Sequence, residues 1–290
     1  LLGNCCGPLT AATVPIAEKY NVLMVQGGNC GDNVYEGGFK FQIGTMPGLA
    51  TTHAEKLFDW ADSLPESQRP KKVAIIHNPL SFAFYAGQGA LKMAKERGYD
   101  VVFYEQYDIK TPDYAPLMTK IKATNPDMLI VGAWAKEGIL QVRAMKEIDF
   151  NPKVFFHAGA PPTPAFFKAL GKDSNYAMWT SHWGPEYNTP GTDEFVEAYT
   201  KKFGFPPYDW IASAYDSGRA LEQAIVATKS LDGKTLRKWA AKSKGIQLLG
   251  GKLAWDKTGA PNTVYALSQL YEGKAIVVYP ASMGQRPGVK

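Results

Sequence analysis

Short apolar segments alternate with amphipathic ones through the middle of the chain. Four of them are KVAIIH (72–77), VVFYE (101–105), MLIVG (128–132) and KVFFH (153–157). Strands that are apolar throughout, separated by helices of about 12 residues, are typical of a parallel sheet covered on both faces. The pattern predicts helices at 83–97, 114–123, 137–148 and 165–170, and a further strand at 177–180.

The two ends of the chain repeat this alternation in shorter form. Near the start the pattern predicts strands at 1–3 (LLG), 22–25 and 41–45, with helices at 9–20 and 49–63. After about residue 190 it predicts helices at 193–203, 209–230 and 231–242, then strands at 251–256, 264–273 and 275–280. The last two strands are expected to form a hairpin around Glu272-Gly273. The fold class predicted from the residues is α/β.

Composition narrows the possible functions only a little. The 290 residues are enough for two domains, and 45% of them are hydrophobic against 20% charged, as in an ordinary globular protein. The net charge of +5 is mild, and the basic residues are scattered, as at Lys92, Lys95 and Arg97. Scattered charge favours a solvated surface over nucleic-acid binding. No run reaches the ~18 apolar residues of a membrane span, and the first residues lack the basic leader of a signal peptide.

Catalytic and metal-binding motifs are not supported. The histidines His53, His77, His157 and His182 have no metal-ligand spacing, and no GxSxG motif is present. Gly87-Gln88-Gly89 lies inside a predicted helix, where close packing explains it better than a dinucleotide fingerprint. Cys30 is a lone thiol without an assigned base. We therefore expect a protein that is not an enzyme and holds neither cofactor nor metal.

The loops that follow the strands are the remaining candidates for a site. In open parallel sheets, ligands bind beyond the carboxyl ends of the strands. These loops are 4–7 (NCCG), 26–30 (QGGNC), 78–82, 133–135 and 158–161. Their amides, glycines and aromatic rings suit a small organic ligand. Core packing is the alternative explanation for Phe82 and Trp134, and burial near a crossover is the alternative for Trp183.

Several stretches together resemble a known family across the whole chain: LLGNCCGPLTAATVPIAEKYNVLMV, GGFKFQIGT, KKVAIIHN, PDMLIVGAW, FNPKVFFHAG, KLAWDKTGAPN and AIVVYP. The chain resembles the solute-binding proteins of ABC importers of the branched-chain amino acid and amide type (periplasmic binding protein type I). The resemblance implies two Rossmann-like lobes joined by three hinge crossovers, near 45–50, 184–191 and 257–263. Lobe 1 would comprise 1–47 and 188–258, and lobe 2 would comprise 48–187 and 259–290.

The resemblance also implies a ligand site on loops of both lobes. In lobe 1, one loop supplies donors to a ligand carboxylate and the next supplies a backbone carbonyl and a further polar group. The matching residues are Cys6, Gly7 and Thr10 for the first loop, and Gly28, Asn29 and Cys30 for the second.

In lobe 2 the family closes the site with aromatic side chains, matched here by Phe82 and Trp134. Amino acid binders of the family have an acidic residue after the FFH strand, which pairs with the ligand's ammonium group. Gly159 and Ala160 occupy that position here. Burying an ammonium without a carboxylate is costly, so the expected ligand is an aromatic or hydrophobic carboxylate.

The function implied by the resemblance is that of a periplasmic or extracytoplasmic solute-binding protein. Its expected partners are a small-molecule ligand and the membrane permease of an ABC importer, and we expect a monomer that binds no nucleic acid. Three alternatives stay open: a branched-chain amino acid or amide binder, a ligand sensor of the same fold, and a Rossmann-type enzyme using Cys30. Family members begin several elements earlier, so we also expect an N-terminal segment, with a possible partner for Cys5 or Cys6, to precede Leu1.

Overall fold

The computed structural model describes residues 1–3, 6–46, 48–187, 189–262 and 265–283. The helices are α1 (Gly7–Lys19), α2 (Asp32–Glu36), α3 (Glu55–Ser63), α4 (Ser81–Glu96), α5 (Ala115–Ala123), α6 (Ala135–Glu147), α7 (Pro164–Leu170), α8 (Thr192–Phe203), α9 (Asp209–Thr228) and α10 (Gly233–Lys242). The strands are β1 (Met24–Gln26), β2 (Gln42–Gly44), β3 (Lys72–His77), β4 (Asp100–Gln106), β5 (Met128–Gly132), β6 (Val154–His157), β7 (Met178–Ser181), β8 (Ile246–Leu248), β9 (Gly251–Leu253), β10 (Ala266–Tyr271) and β11 (Lys274–Tyr279). Short 3₁₀ helices span Ala50–Thr52, Gly171–Ser174 and Ala281–Met283.

The chain divides into two compact units. Among the described residues, unit 1 contains Leu1–Leu49 and His182–Tyr265, and unit 2 contains Ala50–Ser181 and 266–283. The mixed α/β class predicted from the sequence is confirmed. The predicted lobe boundaries at 47/48, 187/188 and 258/259 stay a prediction; they lie two, six and seven residues from the boundaries between the two units at 49/50, 181/182 and 265/266.

Unit 2 is built on a seven-stranded sheet in the order β11-β10-β7-β6-β5-β3-β4. Strands β3 to β7 pair in parallel, and β10 and β11 add antiparallel strands at one edge. Strand β5 is buried along its whole length, as its apolar sequence predicts. Because the central strands are parallel, their carboxyl ends lie at one edge of the sheet, where the loops containing Asn78, Trp134 and Gly159 begin.

Two sequence interpretations in unit 2 are confirmed by geometry. A side chain at Gly89 would overlap the carbonyl oxygen of Thr51, so Gly87-Gln88-Gly89 serves close helix packing. The hairpin between β10 and β11 turns at Glu272 and Gly273, with φ of 48° and 77°. Positive φ at both positions is the requirement of a type I′ turn.

Unit 1 has shorter strands and more helix. Strands β1 and β2 pair in parallel, Leu2 forms one parallel bridge to Val25, and β8 and β9 form an antiparallel pair. The apolar side chains of β1 and β2 pack against α9 and α10, in a core that includes Val25, Ile43 and Leu236. The predicted strand 1–3 is therefore reduced to a single bridge, although its parallel pairing next to β1 is as expected.

Several predicted boundaries were wrong, and hydrogen bonds explain some of the differences. The helix predicted at 231–242 begins at Gly233, because the Asp232 carboxylate accepts the Thr235 N–H at 2.8 Å and caps the helix. The helix predicted at 49–63 is split into a 3₁₀ turn and α3. The strand predicted at 251–256 ends at Leu253, and α2 and β8 were not predicted.

Candidate ligand-binding site

In unit 1 the two predicted loops lie side by side. The N–H of Cys6 donates to the carbonyl of Gly28 at 2.9 Å, which joins the first loop to the second. Cys6 has a φ of 71°, and α1 begins immediately after it at Gly7. The start of α1 has no side-chain cap and no acidic residue in its first turn, so its positive dipole end is not neutralised from within the helix.

The side chains of the first loop are partly engaged already. The Thr10 hydroxyl is fully buried and donates to the Cys6 carbonyl at 2.9 Å, so its proton is used within α1. Cys6 is half-buried, and Cys30 is buried. Neither thiol is bonded in a disulfide within the described residues. The predicted residue Cys5 lies outside the described residues.

Asn29 is the polar side chain of the second loop. It is 2% exposed, and its Oδ1 accepts the N–H of Gly31 at 3.1 Å. Its Nδ2 has no hydrogen-bond partner among the described residues. A buried amide that leaves its donor unused is uncommon in folded proteins, so Nδ2 is available to an acceptor on a ligand.

The second loop is held by a glycine and a tyrosine. A side chain at Gly27 would lie 2.5 Å from the carbonyl oxygen of Ser213, so the loop packs directly on α9. The Tyr35 hydroxyl donates to the Asn29 carbonyl at 3.3 Å. Burial raises the pKa of Tyr35, and nearby Cys30 adds to this effect, so the phenol keeps its proton and remains a donor.

In unit 2 the structure brings Phe82, Trp134 and Gly159 together. The rings of Phe82 and Trp134 lie with centroids 5.0 Å apart. A Cβ at Gly159 would lie 3.5 Å from Trp134, 3.6 Å from Phe82 and 2.6 Å from the Ala133 carbonyl oxygen. His53 also packs on Phe82 in an edge-to-face arrangement, with centroids 5.1 Å apart. We call Phe82, Trp134 and Gly159 the aromatic surface.

Gly159 is sterically required at its position. The Ala133 carbonyl is backbone and cannot turn away, so any side chain at 159 forces the loop to shift. Ala160 has no exposure and lies in the core of unit 2 with Phe166 and Trp179. No acidic side chain occupies either position. The ligand-binding roles of both residues stay predictions.

A buried carboxylate supports the aromatic surface. Glu137 is 7% exposed, and its oxygens accept from the Asn78 amide at 2.9 and 3.1 Å and from the Tyr107 hydroxyl at 2.8 Å. The same carboxylate accepts the backbone N–H of Trp134 at 3.3 Å. Burial raises the pKa of Tyr107, and the Glu137 charge adds to it. Glu137 thus connects the loops after β3, β4 and β5.

His157 holds the loop that contains Gly159. Its Nδ1 accepts the backbone N–H groups of Gly159 and Ala160 at 3.3 and 3.1 Å, which places the ring proton on Nε2. Complete burial lowers the pKa of His157 to about 3, so the ring is neutral at ordinary pH.

The sequence did not single out Glu137 or His157. The one available signal for Glu137 was an acidic residue three positions after the helix cap Trp134, as in a capping box. Trp183 is 2% exposed, and its indole N–H donates to the Thr192 hydroxyl at 3.2 Å. The structure therefore favours burial over ligand contact for Trp183. No group of side chains in the described ranges is arranged to hold a metal ion.

The architecture and these surfaces define a class of protein. Each unit presents loops at the carboxyl ends of parallel strands, and the candidate residues described above are donors and rings. This is the organisation of an α/β protein that binds a small molecule.

The chain belongs to the periplasmic binding protein family, whose profile matches residues 1–275. The members of this family are binding proteins and not enzymes, as predicted. A curated relative is the Leu/Ile/Val-binding protein homolog 7 of Brucella abortus, 23% identical over 239 residues. That alignment covers 76% of this chain and 58% of the relative, so the chain spans less than two thirds of the relative's length.

Solved structures share the fold at low identity. A leucine binding protein, LivK, of Thermotoga maritima has a TM-score of 0.83 at 18% identity, covering 96% of this chain and 78% of that one. A solute binding protein of an ABC transporter of Rhodopseudomonas palustris, in complex with 3,4-dihydroxy benzoic acid, has a TM-score of 0.77 at 21% identity. It covers 93% of this chain and 74% of that protein.

Proposed function

We propose that this chain is the solute-binding component of an ABC importer and that it binds a small aromatic or hydrophobic carboxylate. Family membership supports the binding role. The similar structures support two ligand classes, amino acids and aromatic carboxylates. One is a leucine binding protein, and another is in complex with 3,4-dihydroxy benzoic acid. The surfaces of this chain favour the second class.

The observation that carries the ligand class is the aromatic surface at Gly159. Trp134 is partly exposed and offers an apolar ring, which suits an aromatic or aliphatic group, while Phe82 is 7% exposed and packs against it. The absence of a side chain at 159 is enforced by the Ala133 carbonyl. The carboxylate of Glu137 already accepts hydrogen bonds from Asn78, Tyr107 and Trp134. Among the described residues of the aromatic surface, an ammonium group would therefore find no uncommitted carboxylate, and burying it would cost several kcal/mol.

Unit 1, taken by itself, offers donors that suit an anionic group. The start of α1 presents the backbone N–H of Gly7 and the positive end of the helix dipole, since Pro8 has no N–H and the Thr10 N–H binds the Cys6 carbonyl. Asn29 adds a buried Nδ2 without a partner among the described residues. Donors of both kinds favour a carboxylate oxygen over a cation. Gly28 and Cys30 flank this donor, and we assign them to the same surface.

Calorimetry with a small ligand set tests this proposal. We expect micromolar binding of 4-hydroxybenzoate or benzoate and no heat from leucine or valine. Benzamide, which has the ring without the charge, should bind more weakly than benzoate. Micromolar binding of leucine or valine with no heat from benzoate-like acids would contradict the proposal and favour the branched-chain amino acid alternative.

The transport role is proposed together with an extracytoplasmic location and a monomeric state. No helix in the described part of the chain is long and apolar enough to cross a membrane. The hinge closure implied by the family resemblance is part of the same proposal. Small-angle scattering with and without benzoate tests the monomeric state and the hinge closure. The molecular mass reports the first, and a ligand-dependent fall in the radius of gyration reports the second.

A further inference from the structure

The charge of the protein is concentrated in one segment of unit 1. Residues 228–244 (TKSLDGKTLRKWAAKSK) contain six basic residues and one acidic residue, an excess equal to the net charge of +5 of the whole chain. The rest of the molecule is therefore formally neutral. The sequence interpretation that the basic residues are scattered is therefore wrong for this segment.

The lysines of this segment are exposed and not paired. They are Lys229, Lys234, Lys238, Lys242 and Lys244. None of the five forms an ion pair with a carboxylate of the described residues. The sixth basic residue, Arg237, is instead committed to the carbonyl groups of Lys40 and Lys257. Asp232, the one acidic side chain of the segment, caps α10.

The spacing of these lysines is not explained by helix stability. Lys234, Lys238 and Lys242 follow one another at four-residue intervals, which places them on one face of α10, where like charges repel. Cations near the end of a helix are favoured by the dipole, which accounts for Lys242. Lys234 lies in the first turn, where the dipole disfavours a cation. These repulsions lower the stability of α10. An anionic partner would relieve them.

Exposed apolar groups surround the lysines. Leu231 in the α9–α10 connection is 79% exposed, and Val226 on α9 is 70% exposed, more than any other large hydrophobic residue of the described chain. Trp239 lies between two surface cavities of about 320 and 370 Å³. Thr228, Lys238 and Lys242 line the first cavity, and Val226 lines the second.

We propose that this face, formed by residues 226–244, docks on an anionic lipid surface. Lysines beside a tryptophan and exposed aliphatic side chains are the composition of interfacial membrane-binding segments. Lysines attract anionic headgroups, and the attraction adds up over clustered residues. An acidic protein surface would pair with the lysines but would leave Leu231 and Val226 in water, so the aliphatic groups favour lipid. Within unit 1 this surface lies at the other end of α9 from the loop of Asn29, since Gly27 approaches Ser213 near the start of α9 and Val226 lies near its end. The proposal does not depend on the proposed ligand.

Vesicle sedimentation tests the proposal. We expect the protein to bind vesicles of phosphatidylcholine mixed with phosphatidylglycerol at low salt, and not vesicles of phosphatidylcholine alone. The double variant Lys238→Glu with Lys242→Glu should lower the partition constant at least about 30-fold. The matched control is Lys168→Glu with Lys172→Glu in unit 2, also exposed and four residues apart, which should change it by no more than about twofold.

A second variant separates insertion from charge attraction. Leu231→Ser keeps every charge, and we expect it to weaken binding about 3- to 10-fold, most clearly at high salt. No binding to the mixed vesicles, or equal losses in the two lysine pairs, would overturn the proposal. Binding to polyglutamate without binding to the mixed vesicles would also overturn it, in favour of an acidic protein surface.

Discussion

The two candidate surfaces are built from different parts of the polypeptide. In unit 1 the candidate donors are the Gly7 N–H at the start of α1 and one amide, Asn29, on a loop fixed by the close approach of Gly27 to α9. In unit 2 the contact groups are the rings of Phe82 and Trp134, supported by the buried Glu137 carboxylate. Backbone donors tolerate most side-chain changes, whereas a ring surface depends on side chains and on what holds them. We therefore expect unit 2 to be much more sensitive to substitution.

Removal of Glu137 is expected to have the largest effect. Glu137→Ala leaves the Asn78 amide and the Tyr107 hydroxyl buried without their shared acceptor. Hydrogen bonds to a charged group contribute about 1.5–3 kcal/mol each, so the free energy of unfolding should fall by about 3 kcal/mol or more in urea denaturation. The control Glu222→Ala removes an exposed carboxylate paired with Arg219 and should change stability by less than about 1 kcal/mol. Equal effects would show that the network does not hold unit 2.

Trp134→Ala should mainly affect ligand binding. The substitution removes one face of the aromatic surface, and the loss of aromatic burial should weaken benzoate binding by about 1–3 kcal/mol in calorimetry. The control is Tyr176→Ala, a 60% exposed aromatic residue of unit 2 outside the aromatic surface, which should leave affinity unchanged. Unchanged affinity in the Trp134 variant would instead assign Trp134 to the core.

Sequence alone anticipated unit 2 better than unit 1, and the reason is physical. Strands such as β3 and β5 are apolar at nearly every position, so their pattern is visible without any knowledge of their neighbours. Helix α2 has only five residues and buries Asp32 beside Val34 and Tyr35, which no hydrophobic pattern reveals. Whether such a short helix forms depends on its tertiary contacts, which the local sequence does not show.

The same reasoning applies to the site residues. The loops of Phe82, Trp134 and Asn29 were predictable, because they follow strands. Glu137 was not, because an acidic residue near the start of a helix resembles a solvated cap. Its burial depends on Asn78, 59 residues earlier, and on Tyr107, 30 residues earlier. His157 was likewise invisible, since its partners are the N–H groups of its own loop.

Asn29→Asp tests the donor role of unit 1. The aspartate keeps the oxygen that accepts the Gly31 N–H, so the loop is preserved, but it replaces the Nδ2 donor with a negative oxygen. Benzoate affinity should fall by about 1–2 kcal/mol, while benzamide affinity should change less, because only the carboxylate is repelled. The same loss for both ligands would show that the substitution disturbs the loop. No loss for either would remove Asn29 from the ligand contacts and weaken the assignment of the carboxylate to unit 1.

The smallest expected effects concern two carboxylates, one in each unit, whose pKa values are displaced in opposite directions. Burial raises the pKa of Asp216 in unit 1 to about 6, although it accepts the N–H groups of Leu249 and Gly250. In unit 2 burial also acts on Asp127, but hydrogen bonds from Lys153 and from the N–H groups of Lys72 and Lys71 lower its pKa to about 2.

The two shifts predict opposite pH dependence of stability. Folded Asp216 holds its proton more tightly than the unfolded chain, so its contribution falls as pH rises from about 4 to about 6. Folded Asp127 holds its proton less tightly, so its contribution is present above about pH 4 and is lost as pH falls towards 2. Relative to wild type, Asp216→Asn should therefore gain stability as pH rises through the first window. Asp127→Asn should gain as pH falls through the second, each by about 1 kcal/mol in denaturation at several pH values. If the stability of both variants changed with pH in the same direction, the pKa values of Asp216 and Asp127 would not be shifted in opposite directions, and the prediction would be wrong.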